Sequence, residues 1–179
     1  MDDFIEFNDL DLTDSVLKSV EDLGFTHLTP IQAQILPHTL AGQDAIGQAQ
    51  TGTGKTATFL ITIIEALLKR PFQADEKRYL GEPRALILAP TRELANQIFD
   101  DAIALTKHTQ LHSVCVMGGV DYEQQTAALD QGFTDILIAT PGRLIDLIHR
   151  GHVFLDRIEA FVLDEADRML DMGFIPDIK

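Results

Sequence analysis

The glycine-rich turn Ala49-Gln50-Thr51-Gly52-Thr53-Gly54-Lys55-Thr56 follows a short apolar segment, Ala45-Ile46-Gly47. It opens a long stretch with helical apolar periodicity, Thr56 to Lys69. A strand that turns through glycines straight into a helix is the context of a phosphate-binding loop, and it belongs to α/β folds. Glycines at 52 and 54 let the backbone curl until successive N–H groups point inward at phosphate oxygens. The helix that starts there adds the positive end of its dipole. Lys55 can reach β- and γ-phosphates, and the Thr56 hydroxyl can ligate Mg2+. Against the general pattern G-x-x-x-x-G-K-[ST], the first glycine is replaced by Ala49. A plain Gly/Thr turn is the alternative, but it leaves the lysine and threonine at the helix start unexplained.

Far downstream, Phe161-Val162-Leu163 delivers Asp164-Glu165-Ala166-Asp167. An apolar strand with acidic residues at its C-terminal end puts them where ligands of open α/β sheets bind. Asp164 suits Mg2+, directly or through water, and Glu165 suits the orientation and deprotonation of an attacking water. Asp164 could instead merely cap a helix from near Ala166. The phosphate loop favours the metal role.

Between these landmarks, strand candidates at 44–48, 85–89, 113–117, 135–139 and 159–163 alternate with helix candidates. The helices are expected at 54–69, 92–107, 122–130, 141–150 and from about 166 onward. Such alternation predicts a mostly parallel sheet with helices on both faces. Upstream, Asp14 to Leu23 predicts an amphipathic helix with Val16, Leu17, Val20 and Leu23 on one face. Thr29-Pro30 predicts an N-cap with proline at the first helical position. The polar, proline-bounded segment from Arg70 to Pro83 predicts an exposed loop.

The 179 residues suffice for one α/β domain, and 45% apolar with 23% charged residues is an ordinary globular balance. The longest apolar stretch, Phe59 to Leu68, is broken by Glu65 and too short to span a bilayer. The acidic start Met1-Asp2-Asp3 lacks a secretory n-region. Cys115 is the single cysteine, so no intrachain disulfide forms, and a reducing cytoplasm fits. In Val114-Cys115-Val116 it reads as a buried, inert strand thiol. The pair His108/His112 straddles a helix end and a strand start and would not share a face, and His149/His152 lacks cysteine or carboxylate partners at metal-ligand spacing, so both read as surface residues. A net charge of −14 argues against broad electrostatic affinity for nucleic acid.

The Asp-Glu-Ala-Asp box and the Ala49–Thr56 loop are joined by Pro90-Thr91-Arg92-Glu93-Leu94-Ala95, Gly118-Gly119 and Thr140-Pro141-Gly142-Arg143. In order and spacing these resemble the motifs of DEAD-box RNA helicases, a family in which alanine is normal at the position of Ala49. The resemblance runs from Phe7 to the last residues, Arg168 to Phe174 included. Within the family the chain is most similar to the bacterial RhlB and RhlE type. The run Leu36 to Thr56 and the polar insert before Pro83 lean toward RhlB.

The resemblance implies a RecA-like P-loop NTPase domain, with a Q-motif region at 5–33 and the ATP-binding domain at 34–179. It implies ATP and Mg2+ as cofactors, Lys55, Asp164 and Glu165 as catalytic residues, and Thr56 and Asp164 at the metal. The ATP contacts would be Phe7, Thr29, Gln32 and the loop residues Ala49, Gln50, Thr51, Gly52, Thr53, Gly54, Lys55 and Thr56. A glutamine amide offers adenine one donor and one acceptor, whereas guanine presents two acceptors at the same edge. By sequence alone Gln32 would be a surface residue in the first turn of a helix; the resemblance reverses that.

Thr91, Arg92, Gly119, Thr140 and Arg143 would meet RNA through its backbone and 2′-hydroxyls, largely independent of base. Thr91 and Thr140 would also serve as helix N-caps, and a solvated Arg92 is the competing assignment for that residue. The RhlB lean implies RNA-decay machinery as a partner, in the cytoplasm and away from membranes. The family's Ser-Ala-Thr landmark and second RecA-like domain are not found in the 179 residues. The chain is therefore expected to be a piece of a longer motor, with its sheet short of its last strands and incomplete at its centre. Two other functions stay open: a nucleotide- or partner-binding module without turnover, and a DNA translocase.

Overall fold

The computed structural model describes residues 12–23, 55–71 and 77–163, which divide into two compact units. The first holds the described residues up to Pro71 together with 101–110; the second holds 77–100 and 111–163.

In the first unit, helix α1 (Asp14–Asp22) and helix α2 (Lys55–Lys69) touch each other. Helix α2 buries Leu60, Ile61, Ile63, Ile64 and Leu67, the wide apolar stripe its periodicity predicts. Glu65 on the same helix is buried and accepts both the backbone N–H and the hydroxyl of Thr13, each at 2.8 Å. This carboxylate fixes the start of α1. On α1 the buried face is Val16, Ser19 and Val20, not quite the expected set. Leu23 is exposed, and Ser19 goes inside because its hydroxyl donates to the Ser15 carbonyl.

The second unit is built on four short strands: β1 (Ala85–Leu88), β2 (Ser113–Val116), β3 (Ile136–Ala139) and β4 (Ala160–Leu163). All pairings are parallel, in the order β2-β3-β1-β4. In register, Leu88, Val116, Ala139 and Leu163 finish level with one another. The continuous apolar runs of β1 and β3 are buried throughout, as central strands covered on both faces must be. Phe161 on β4 is 46% exposed.

Helix α3 (Arg92–Leu105) follows β1, helix α4 (Tyr122–Asp130) follows β2, and helix α5 (Pro141–His149) follows β3. Leu86, Leu88, Val114, Val116, Leu137 and Ala139 share one face of the sheet and pack with Leu129 of α4 and Leu144 and Leu147 of α5. Cys115 alternates to the other face, where its sulfur lies 3.8 Å from the Ala95 carbonyl of α3. The strand order explains this division. The β1-to-β2 crossover runs one way along the sheet, while β2-to-β3 and β3-to-β4 run the other. Right-handed crossovers of opposite direction must use opposite faces. The expected parallel sheet with helices on both faces is therefore present, and strand limits differ from expectation by about one residue.

Helix α3 stops two residues earlier than expected. The Thr106 hydroxyl bonds back to the Ala102 carbonyl at 2.7 Å, and the chain turns there. The segment before β1 is less exposed than its polarity predicts. Tyr79 and Leu80 face solvent, but Gly81 and Pro83 are buried, and Gly81 accepts the Phe154 N–H at 2.8 Å. Arg78 anchors the segment through Asp135 at 2.9 Å. No helix among the described residues is long and apolar enough to cross a membrane. The strand expected at 44–48 and the helix expected from 166 lie outside the described residues.

Candidate nucleic-acid interface

Strands β1 and β3 are neighbours, yet their chains leave toward opposite faces, β1 into α3 and β3 into α5. Such a divergence opens a crevice at the C-terminal ends of the strands, the position where open α/β sheets bind ligands. An open groove of about 790 Å³ lies there. It is lined by Pro90, Thr91 and Arg92 after β1, Gly118 and Gly119 after β2, and Thr140 to Arg143 and Asp146 after β3. All five residues assigned to RNA on resemblance (Thr91, Arg92, Gly119, Thr140 and Arg143) border this one groove.

Each loop is held by a different device. The Thr91 hydroxyl accepts the Leu94 N–H at 3.2 Å, an ordinary N-cap that starts α3. Thr140 occupies the N-cap position of α5 but caps nothing. Its hydroxyl accepts the Gly118 N–H at 3.2 Å, tying the loop after β3 to the loop after β2. The expectation of a second N-cap is corrected on this point. The neighbouring Gly118 amide takes the oxygen instead.

Gly119 has φ +79°, and a Cβ there would collide with the Arg92 guanidinium. The left-handed backbone is what requires glycine; the guanidinium, at the far end of an exposed side chain, would be displaced by a Cβ. Arg92 is exposed and makes no hydrogen bond or ion pair with a described residue. Arg143 is half-buried. Its Nη1 donates to the Val120 carbonyl at 3.1 Å and to Gln125 Oε1 at 2.8 Å, and the guanidinium sits 5.4 Å from the Tyr122 ring centroid. Its Nη2 and Nε make no hydrogen bond with a described residue. Asp146, the acid of the groove, is engaged by Arg150 at 3.1 Å. In a chain of net charge −14, the groove thus concentrates two guanidinium groups, a set suited to phosphate oxygens.

Sequence reasoning passed over Gln125. It is buried on α4, accepts the Met117 N–H at 3.3 Å, donates to the Met117 carbonyl at 3.0 Å, and receives Arg143. Its signal was a polar residue in the stripe that Tyr122 and Leu129 place against the sheet.

Lys55 and Thr56 are the first two residues of α2. No acidic residue occupies that first turn, which suits an anion at the helix start. Phe7, Thr29, Gln32 and Ala49 to Gly54 lie outside the described residues. So do Asp164 to Asp167, which directly follow β4 in the chain.

The chain is 59% identical over 173 residues to the ATP-dependent RNA helicase RhlB of Pseudomonas aeruginosa, a match covering 97% of this chain and 43% of that protein. It is 52% identical over 174 residues to the RhlB of a Shewanella species, covering 97% and 39%. The chain thus spans about two fifths of the length of these relatives. In three dimensions it resembles the crystal structure of a DEAD box protein from the hyperthermophile Methanococcus jannaschii. The TM-score is 0.83 and the identity 38%, over 98% of this chain and 45% of that one. That likeness, with the parallel sheet, makes the fold RecA-like. The family model described as DEAD/DEAH box helicase matches residues 29–179, and the chain, with the loops after β1, β2 and β3 on one groove, belongs to that family.

Proposed function

We propose that this chain is the ATP-binding half of an ATP-dependent RNA helicase of the RhlB kind, with a Q-motif region at 5–33 and the motor domain from 34. The observation that carries the proposal is the convergence of Thr91, Arg92, Gly119, Thr140 and Arg143 on one groove at the diverging ends of β1 and β3. There Arg92 and the outward N–H groups of Arg143 grip RNA phosphates, and the Gly118–Gly119 turn lets the backbone come close.

Mg·ATP, when bound, supplies the phosphoryl group and the charge-neutralising metal. Lys55 holds phosphate oxygens, and Thr56 and Asp164 serve the Mg2+ site. Glu165 orients a water and accepts its proton. Gln32 reads the adenine edge, Phe7 covers its face, and Thr29 belongs to the same nucleotide-reading segment. The partners are RNA and, from the likeness to RhlB, RNA-decay machinery; the compartment is the cytoplasm.

The test is ATP hydrolysis by the longest natural protein that contains this chain, with and without RNA, in competition with DNA of the same sequence. RNA should stimulate hydrolysis and DNA should compete poorly. A rate indifferent to RNA would refute the proposal, and equal response to DNA would favour a DNA translocase.

A further inference from the structure

We propose that Gln125 is a positioning residue for nucleic-acid binding, holding Arg143 and the end of β2 in the one arrangement that turns both toward the groove; this rests on the RNA-binding function proposed above. Gln125 is 4% exposed and lies beneath the groove without lining it. A guanidinium only donates, so the amide atom facing Arg143 at 2.8 Å must be oxygen. The same oxygen accepts the Met117 N–H at 3.3 Å, and the amide nitrogen donates to the Met117 carbonyl at 3.0 Å. One side chain thereby satisfies both backbone groups of the residue that leads into Gly118 and Gly119, and also an arginine from another helix.

The consequence for Arg143 is geometric. Gln125 Oε1 and the Val120 carbonyl take both hydrogens of Nη1, which fixes the plane of the guanidinium. Nη2 and Nε then keep three donors that no described residue engages. A planar group anchored at one corner presents the rest of its fork in a set direction, so little rotamer entropy is lost when a phosphate arrives. Only an amide meets all three demands. A glutamate would keep Arg143 and the Met117 N–H but oppose the Met117 carbonyl; methionine would fill the space and hold nothing.

The experiment measures RNA affinity against salt, with the RNA concentration for half-maximal ATP hydrolysis, in the longest natural protein containing this chain. Gln125→Met should raise the half-saturating RNA concentration roughly tenfold, the worth of one charge-assisted contact. It should also lower the slope of log affinity against log salt by about 0.7, as expected when one phosphate contact to a single strand is lost. Arg143→Ala should lower the slope equally, and the double variant no further. Gln125→Glu should restore the slope, because Arg143 keeps its acceptor. Should Gln125→Met not fold, Gln125→Asn, one methylene too short to reach Arg143, carries the same expectation.

An unchanged slope in the Met or Asn variant, with or without a fall in melting temperature, would overturn the positioning role. So would a Glu variant that loses the slope as fully. Wild-type protein that ignores RNA would instead remove the functional proposal on which this one stands.

Discussion

The Arg92 guanidinium lies against the backbone of Gly119, so close that a single added methyl would displace it. Arg92 opens helix α3 after β1 and Gly119 lies in the loop after β2, and only the sheet brings them together. Gly119→Ala should therefore act twice. The left-handed backbone at φ +79° costs a non-glycine residue about 1–2 kcal/mol, visible as a lower urea midpoint. The new methyl also pushes Arg92 off its perch, so RNA affinity should fall beyond what the stability loss explains. In an Arg92→Ala background that second effect should shrink toward zero. If Gly119→Ala weakens RNA binding equally with and without Arg92, the two residues are not coupled.

Thr140 offers a separable test of how the groove is assembled. Its buried hydroxyl receives the Gly118 N–H rather than capping its own helix. Thr140→Val keeps the shape and removes the acceptor, leaving a backbone donor unsatisfied at a cost of about 1–2 kcal/mol. Thr140→Ser should be near neutral. Amide exchange at Gly118 should accelerate in the valine variant and stay slow in the serine one. Fast exchange in wild-type protein would show that the bond is not made in solution.

Much of this architecture was legible in the sequence. Apolar runs such as Ala-Leu-Ile-Leu at 85–88 and Ile-Leu-Ile-Ala at 136–139 stood out as strand candidates, and their alternation with helical segments argued parallel pairing. Motif order also put the loop residues 91, 92, 119, 140 and 143 at the C-terminal ends of strands. What stayed hidden depends on contacts between segments distant in sequence. The Thr140–Gly118 bond spans 22 residues and the Arg143–Gln125 bond 18. Spacing says that a threonine before Pro141 can cap a helix; only the tertiary register decides that its oxygen turns to a neighbouring loop instead. For the same reason Gln125 looked like an unremarkable polar position on a helix. The turn before β1 was misjudged in part because Gly81 is buried through a partner, Phe154, far along the chain.

In the first unit, a His108 ring nitrogen lies 2.6 Å from an Asp22 carboxylate oxygen. That hydrogen bond is the largest cause holding the Asp22 carboxyl below its ordinary value; burial opposes it, and the charges of His108, Lys107 and Lys18 add smaller lowering effects. A depressed acid favours the folded state while ionised. Its contribution is therefore present above the ordinary carboxylate value and lost as pH falls through the folded one. Stability of the wild-type protein should fall more steeply than that of Asp22→Asn between about pH 5 and pH 3. Urea midpoints across that interval test it; parallel curves would mean the pair adds nothing.

Cys115 makes the opposite case, a group whose surroundings suppress its chemistry. It sits in the middle of β2, its sulfur near the Ala95 carbonyl. Burial, and then the nearby negative charge of Asp100, push its thiol up to about 12. At pH 8 the thiolate population is therefore roughly a thousandfold below that of an unhindered cysteine. Alkylation of native protein by iodoacetamide should be slower than that of urea-unfolded protein by a comparable factor, and it should accelerate with every pH unit up to alkaline conditions. The linkage has a definite sign. The folded state holds this proton more tightly than the unfolded state, so the contribution is complete below the ordinary thiol value and declines as pH rises past it. Cys115 is half-buried rather than fully buried as its sequence setting predicts; Cys115→Ser should remove that alkaline decline while adding a half-buried hydroxyl, and Cys115→Ala should remove it cleanly. Rapid labelling of native protein at pH 8 would show that burial and Asp100 do not hold the thiol proton.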